Sequence, residues 1–124
     1  MRSTETSELL LAVAETAPFS DDADRLLSED ERNELIAYLS CNPMAGDVIP
    51  KSGGIRKLRW SARGKGTRGG SRIIYFYHGL EMPLYLLAIY AKNEKVDLSA
   101  KELKALRGLS KDLVDAHATG KKAT

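Results

Sequence analysis

Between Ile55 and Tyr77 the chain reads IRKLRWSARGKGTRGGSRIIYFY, with Arg56, Lys57, Arg59, Arg63, Lys65, Arg68 and Arg72 set among apolar residues and tyrosines, and no acid anywhere in the stretch. Cations at this density suit a phosphodiester. Such a bond breaks without a metal when the adjacent ribose 2′-hydroxyl attacks phosphorus, provided that something accepts the hydroxyl proton, holds the dianionic phosphorane and protonates the leaving 5′-oxygen. Clustered lysines and arginines meet all three needs, because each lowers its neighbours' pKa and together they stabilise the transition-state charge. Dependence on a 2′-hydroxyl selects RNA over DNA. A surface that only binds RNA would carry the same residues, and composition does not separate the two.

Other chemistries have little to build on. The chain has two histidines, His78 at the end of an expected hairpin and His117 near the tail, and one cysteine, Cys41. A lone cysteine makes neither an internal disulfide nor a multi-cysteine metal site, and Cys41 has no activating neighbour in sequence. The glycines of GKGTRGG lack the order and the strand–turn–helix setting of a nucleotide-binding loop, so this segment reads as a mobile basic finger. Neither a metal nor a cofactor is expected.

The formal net charge of +2 conceals an asymmetry. Residues 1–47 carry three Lys/Arg against eleven Asp/Glu, residues 48–80 eight against none, and residues 81–124 eight against six. An acidic first third and a basic middle are the pattern of a protein with one face turned to a polyanion. A length of 124 residues with 43% hydrophobic residues fits a single domain, 1–124. The apolar run LLLAVA is six residues long and flanked by glutamates, too short for a signal peptide or a membrane span. A cytoplasmic protein with no membrane association is expected.

The elements that would hold the cations follow from pattern. ELLLAVAE suggests a first strand over about Leu9 to Ala14, with Pro18 interrupting any helix there and a turn of helix from about Asp21 to Leu27, opened by Ser20. Ser28 with Glu31 forms a capping box before a helix lined by Leu35, Ile36 and Leu39. CNPMAGDVIPKSGG reads as a connection. In IRKLRWS, alternation puts Arg56, Leu58 and Trp60 on one face and Lys57 with Arg59 on the other. SRIIYFYH and LYLLAIYA are two more strands, joined across GLEMP. Ser99 with Glu102 opens a last helix of Leu103, Leu106, Leu109 and Leu113, and the polar tail from about His117 is expected to fray. One α+β domain is the economical reading.

The run from Asp47 to Leu106, with GGIRKLR, RGGSRIIY, YAKNE and DLS in that order, resembles the RelE/HigB toxins of bacterial type II toxin–antitoxin systems, most closely the HigB-like branch. ETAPF and LSEDE extend the likeness weakly toward the N-terminus. The resemblance implies the RelE-like fold, a small antiparallel sheet packed against N-terminal helices and a C-terminal helix, and an endoribonuclease, an mRNA interferase that cleaves translated messages in the ribosomal decoding site.

On that resemblance Lys57 and Arg59 match the paired basic positions of the family's second strand, and Arg72 the arginine that opens the third. Lys57 becomes the candidate proton acceptor, Arg72 the candidate for stabilising the phosphorane and donating a proton, and Arg59 a phosphate ligand. Lys92 and Tyr90 match the end of the last strand and join Lys57 and Arg72 as catalytic candidates, while Arg56, Arg63, Lys65 and Arg68 are taken with Arg59 as RNA contacts. Asn93 and Ser99 stand where some members have an arginine and a tyrosine, so the general acid is left unassigned. The implied partners are the ribosome with its mRNA and a cognate helix-turn-helix antitoxin, through which alone DNA would be met. Two other readings share the fold: a gyrase-poisoning toxin, and a catalytically silent partner acting in transcriptional repression. The cluster of Lys57, Arg59 and Arg72 weighs against the first.

Overall fold

A computed structural model describes residues 11–61, 70–95 and 97–123, with side chains to residue 118. Along the chain run β1 (Val13–Glu15), α1 (Ala17–Leu26), α2 (Glu29–Cys41), β2 (Asp47–Val48), β3 (Ile55–Trp60), β4 (Ser71–Phe76), β5 (Leu84–Ala91) and α3 (Ala100–Ala123). The strands form one mixed sheet in the order β1-β5-β4-β3-β2. β1 pairs parallel with β5, and the other pairings are antiparallel. The architecture is the α+β one expected, with a parallel edge added.

Each face of the sheet carries its own core. On one side Ile73, Tyr75, Leu86 and Ile89 pack with Phe19 and Ala23 of α1 and Leu35 and Leu39 of α2. On the other, Ile55, Ile74, Phe76 and Leu87 meet Leu103, Leu106, Leu109 and Leu113 of α3. Leu58 and Trp60 lie against the first core, as alternation requires. Truncating a fully buried residue such as Leu35 would remove about 2–5 kcal/mol of stability.

Local boundaries explain the helices. At α2 both halves of the expected capping box form: Glu31 N–H donates to Ser28 Oγ and Ser28 N–H to the Glu31 carboxylate. The box at Ser99 and Glu102 forms in the same way before α3, which continues through the polar residues from His117 to Ala123. Pro18 does not interrupt a helix but stands in the first turn of α1, which begins at Ala17, four residues before the expected start at Asp21. A proline is tolerated there because first-turn N–H groups have no intrahelical acceptor. Ser20, expected to open that helix, instead donates to Glu15 Oε1 at 2.6 Å.

Two further expectations shift. The first strand lies later than Leu9 to Ala14, because its extent is set by pairing Val13–Glu15 with Leu84–Leu86 rather than by composition; Leu9 and Leu10 fall outside the described residues. The segment read as a connection contains β2, which extends the sheet beyond β3. Tyr75 anchors its entry: the buried hydroxyl donates to Pro43 O and accepts from Gly46 N–H, both at 2.8 Å.

Candidate functional site

Strand register turns residues distant in sequence into neighbours. β3 and β4 pair Arg59 with Arg72 and Lys57 with Ile74, and β4 and β5 pair Arg72 with Tyr90 and Ile74 with Ala88. Directly opposed residues share a face. Ile74 and Tyr90 belong to the core under α3, so Lys57, Arg59, Arg72 and Tyr90 occupy the α3 side of the sheet. The Arg59–Arg72–Tyr90 row crosses the end of that face where β3 finishes, β4 begins and β5 finishes. Arg59 is exposed, Lys57 and Arg72 are half-buried and Tyr90 is buried.

Gly70 sets where β4 starts. Its φ of +55° is left-handed, and a Cβ there would stand 2.2 Å from Trp60 O. Its carbonyl accepts from Lys92 N–H at 3.3 Å, which ties the turn after β5 to the start of β4. Lys92 itself is exposed and lies beyond the last strand residue, in a turn where Glu94 N–H bonds Ala91 O and Ala91 N–H bonds the Glu94 carboxylate. Strand alternation therefore does not carry Lys92 onto the Tyr90 face.

Arg56 is also not brought to the cluster. It projects from the opposite face, where its guanidinium donates to Gly46 O at 2.6 Å and Met44 O at 3.2 Å and braces the approach to β2. Arg63, Lys65 and Arg68 lie outside the described residues.

Two charged residues not singled out in the sequence border the cluster. Lys57 Nζ donates to Asp97 Oδ1 at 3.2 Å. Burial acts to raise the Asp97 pKa, but hydrogen bonds from Leu98 N–H and Lys57 outweigh it and hold the carboxyl below its ordinary value. Lys95 places its ammonium 5.2 Å from the centroid of the Tyr90 ring, within cation–π range, and pairs with Glu102 of the α3 capping box. Periodicity offers no signal for Asp97, since its partner is 40 residues away in the chain.

Tyr90 is 3% exposed. Burial pushes its hydroxyl pKa up, the nearby Asp97 charge adds to this, and Arg72 opposes it. The phenol therefore keeps its proton at neutral pH. Taken together, the face carries two guanidinium groups, an amine beside them engaged by a carboxylate, and a protonated phenol forming the wall, a set of cations whose chemistry suits a phosphate.

A family model of the RelE toxin of the RelE/RelB toxin–antitoxin system matches residues 46–122. The chain belongs to the RelE toxin family. The matched span takes in β2 to β5 and nearly all of α3, so every residue of the Lys57, Arg59, Arg72 and Tyr90 cluster falls within it. Membership makes the chain a toxin of a toxin–antitoxin system, a class that implies a cognate antitoxin. No helix among the described residues of this RelE-family toxin is long and apolar enough to cross a membrane.

Proposed function

We propose that this RelE-family toxin is a ribosome-dependent endoribonuclease of the HigB-like type, its single domain cleaving translated messages through attack of a ribose 2′-hydroxyl. The observation that carries the reading is the common face of Lys57, Arg59 and Arg72. Arg59, the exposed member, holds the phosphate. Arg72, half-buried against Tyr90, donates hydrogen bonds to the equatorial oxygens as charge develops on the phosphorane. As the O2′–P bond forms and the P–O5′ bond breaks, Lys57 in its neutral amine form accepts the 2′-proton and a solvent water supplies the proton of the leaving 5′-oxygen, which leaves a 2′,3′-cyclic phosphate. In the free protein Lys57 is engaged by Asp97, so substrate must draw it out of that pair before it can act as an acceptor. Tyr90, buried and protonated, stands in register with Arg72 on the neighbouring strand and forms the apolar floor beside it, its hydroxyl making no hydrogen bond among the described residues. The partners on this reading are the ribosome with its mRNA and a helix-turn-helix antitoxin, all met in the cytoplasm.

The test is to map RNA ends in cells expressing the chain. Cleavage confined to translated messages, and lost from a reporter whose start codon is removed, is the expected outcome. Cuts indifferent to translation would remove the ribosome from the mechanism. Stalled replication with intact messages would favour a gyrase poison.

A further inference from the structure

A second feature of the α3 side lies at the far end of the strands from the cluster. A cavity of about 580 Å³ opens where the start of β3, the end of β4 and the middle of α3 converge. That volume falls within the range of small-ligand sites. Phe76 and His78 form one wall, their rings stacked at 5.9 Å with 26° between planes, and His78 is exposed. Opposite them α3 presents Lys104, Arg107 and Lys111, spaced three and four residues apart and therefore on one side of the helix. All three are exposed. Asp115 also lines the cavity and pairs with Lys111 at 3.2 Å, but both side chains are mostly exposed, so the pair is weak. At Gly108, between the cations, a Cβ would meet nothing within 4 Å, so the helix surface there is open to close approach.

Ser110 adds an independent sign. It lines the cavity, is 4% exposed, and its Oγ is buried with no hydrogen-bond partner among the described residues. An unsatisfied buried hydroxyl is costly, and a rotation of the Ser110 side chain toward the cavity would let a ligand with a polar edge satisfy it.

We propose that this cavity is a second RNA-contact site, which receives one unpaired nucleotide remote from the scissile bond. The choice of RNA over another anion rests on the reading above, and the chemistry of the cavity agrees with it. Lys104, Arg107 and Lys111 take the phosphates flanking the nucleotide, the base stacks on the His78 and Phe76 rings, and Ser110 Oγ meets the base's polar edge. A lone phosphate would leave the aromatic wall unused. Phe76 and Arg72 lie at opposite ends of β4, about 13 Å apart along the strand, so one RNA strand or two neighbouring strands could engage both sites.

The probe is a fluorescent, unpaired 2′-O-methyl RNA decanucleotide, which 2′-hydroxyl attack cannot cleave, added to the full-length protein. Its binding should shift the backbone amide NMR signals of Phe76, His78, Gly108 and Ser110. Replacing exposed Lys104 and Arg107 together by alanine should weaken affinity tenfold or more and lower the log–log salt slope by about 1.4, at roughly 0.7 per lost cation on a single strand. His78→Ala should weaken it about fivefold or more through lost stacking. Unmoved signals at these four residues, or undiminished affinity in the double variant, would overturn the site. An acidic peptide that shifts the same four signals more strongly than the RNA, and that RNA fails to displace, would assign the cavity to a protein partner and overturn it too. Because the probe is uncleavable, this result is separate from the cleavage reading: shifted signals in a protein that cuts no RNA would uphold the cavity and sink the nuclease.

Discussion

Arg72 stands in register with Arg59 on one side and Tyr90 on the other, and the proposed mechanism gives it a role only once charge develops on the phosphorane. Arg72→Ala is therefore expected to slow single-turnover cleavage on pre-bound ribosomes about 100-fold or more while changing ribosome affinity only a few-fold. Equal losses in both quantities would reduce the cluster to a binding patch. Lys57→Ala should resemble it, and Lys57→Arg should restore little, since a guanidinium is a poor proton acceptor at neutral pH. Asp97 supplies a test in the opposite direction. Asp97→Asn keeps an acceptor for Leu98 N–H but removes the carboxylate that competes with substrate for Lys57. Exposed pairs of this kind are worth up to about 1 kcal/mol, so cleavage at subsaturating ribosome should rise by at most about fivefold. A fall would make Asp97 a required partner of Lys57 rather than a competitor.

At the scale of elements, α2 and β1 are joined by Arg32. Its guanidinium holds Glu15 through two bonds of 3.0 and 2.6 Å and also reaches Asp24 at 2.6 Å. The Arg32 hydrogen bonds outweigh burial and hold the Glu15 carboxyl below its ordinary pKa. A depressed carboxylate contributes stability that is present above its unfolded pKa and lost as pH falls through the folded one. The urea midpoint should accordingly drop between about pH 5 and about pH 3, and Arg32→Met should flatten that drop while lowering the midpoint at neutral pH. An unchanged acid profile in Arg32→Met would place the acid sensitivity in the other depressed carboxyls, Glu94, Asp97 and Glu102. At the opposite edge of the sheet, Tyr75→Phe leaves Gly46 N–H and Pro43 O without their shared partner. A cost of about 1–3 kcal/mol in denaturant unfolding is expected.

For the whole molecule, the sheet separates two charge regimes. The acidic first third builds β1, α1 and α2, whereas the cations of β3 and β4, Arg56 apart, point to the α3 side. Docking to RNA through that side should weaken steeply with salt. Three phosphate contacts at Lys57, Arg59 and Arg72 imply a log–log slope of at least about −2, and affinity for ribosomes that stayed flat from low to moderate salt would contradict it. Much of this was legible in the chain itself wherever the deciding interaction is local. Ser28 with Glu31 and Ser99 with Glu102 announce their helices because a capping box closes within four residues. The alternation in IRKLRW separates Lys57 and Arg59 from Leu58 and Trp60 because a strand's side chains alternate whatever it pairs with. Pro18 misled because the same residue that breaks a helix interior is welcome in its first turn, and only the position of Thr16 beside β5 decides which applies. The tertiary structure alone decided the rest. Arg56, adjacent to Lys57, became a brace for the Gly46 turn, while Asp97 arrived beside Lys57 from 40 residues away. The alignment of Arg59, Arg72 and Tyr90 depends on strand register, which is set by turns and by the packing of both cores rather than by any one strand's residues. The sequence by itself thus determined which cations this toxin carries on its strands and which way each strand turns them, and the register of the folded sheet decided which of them meet.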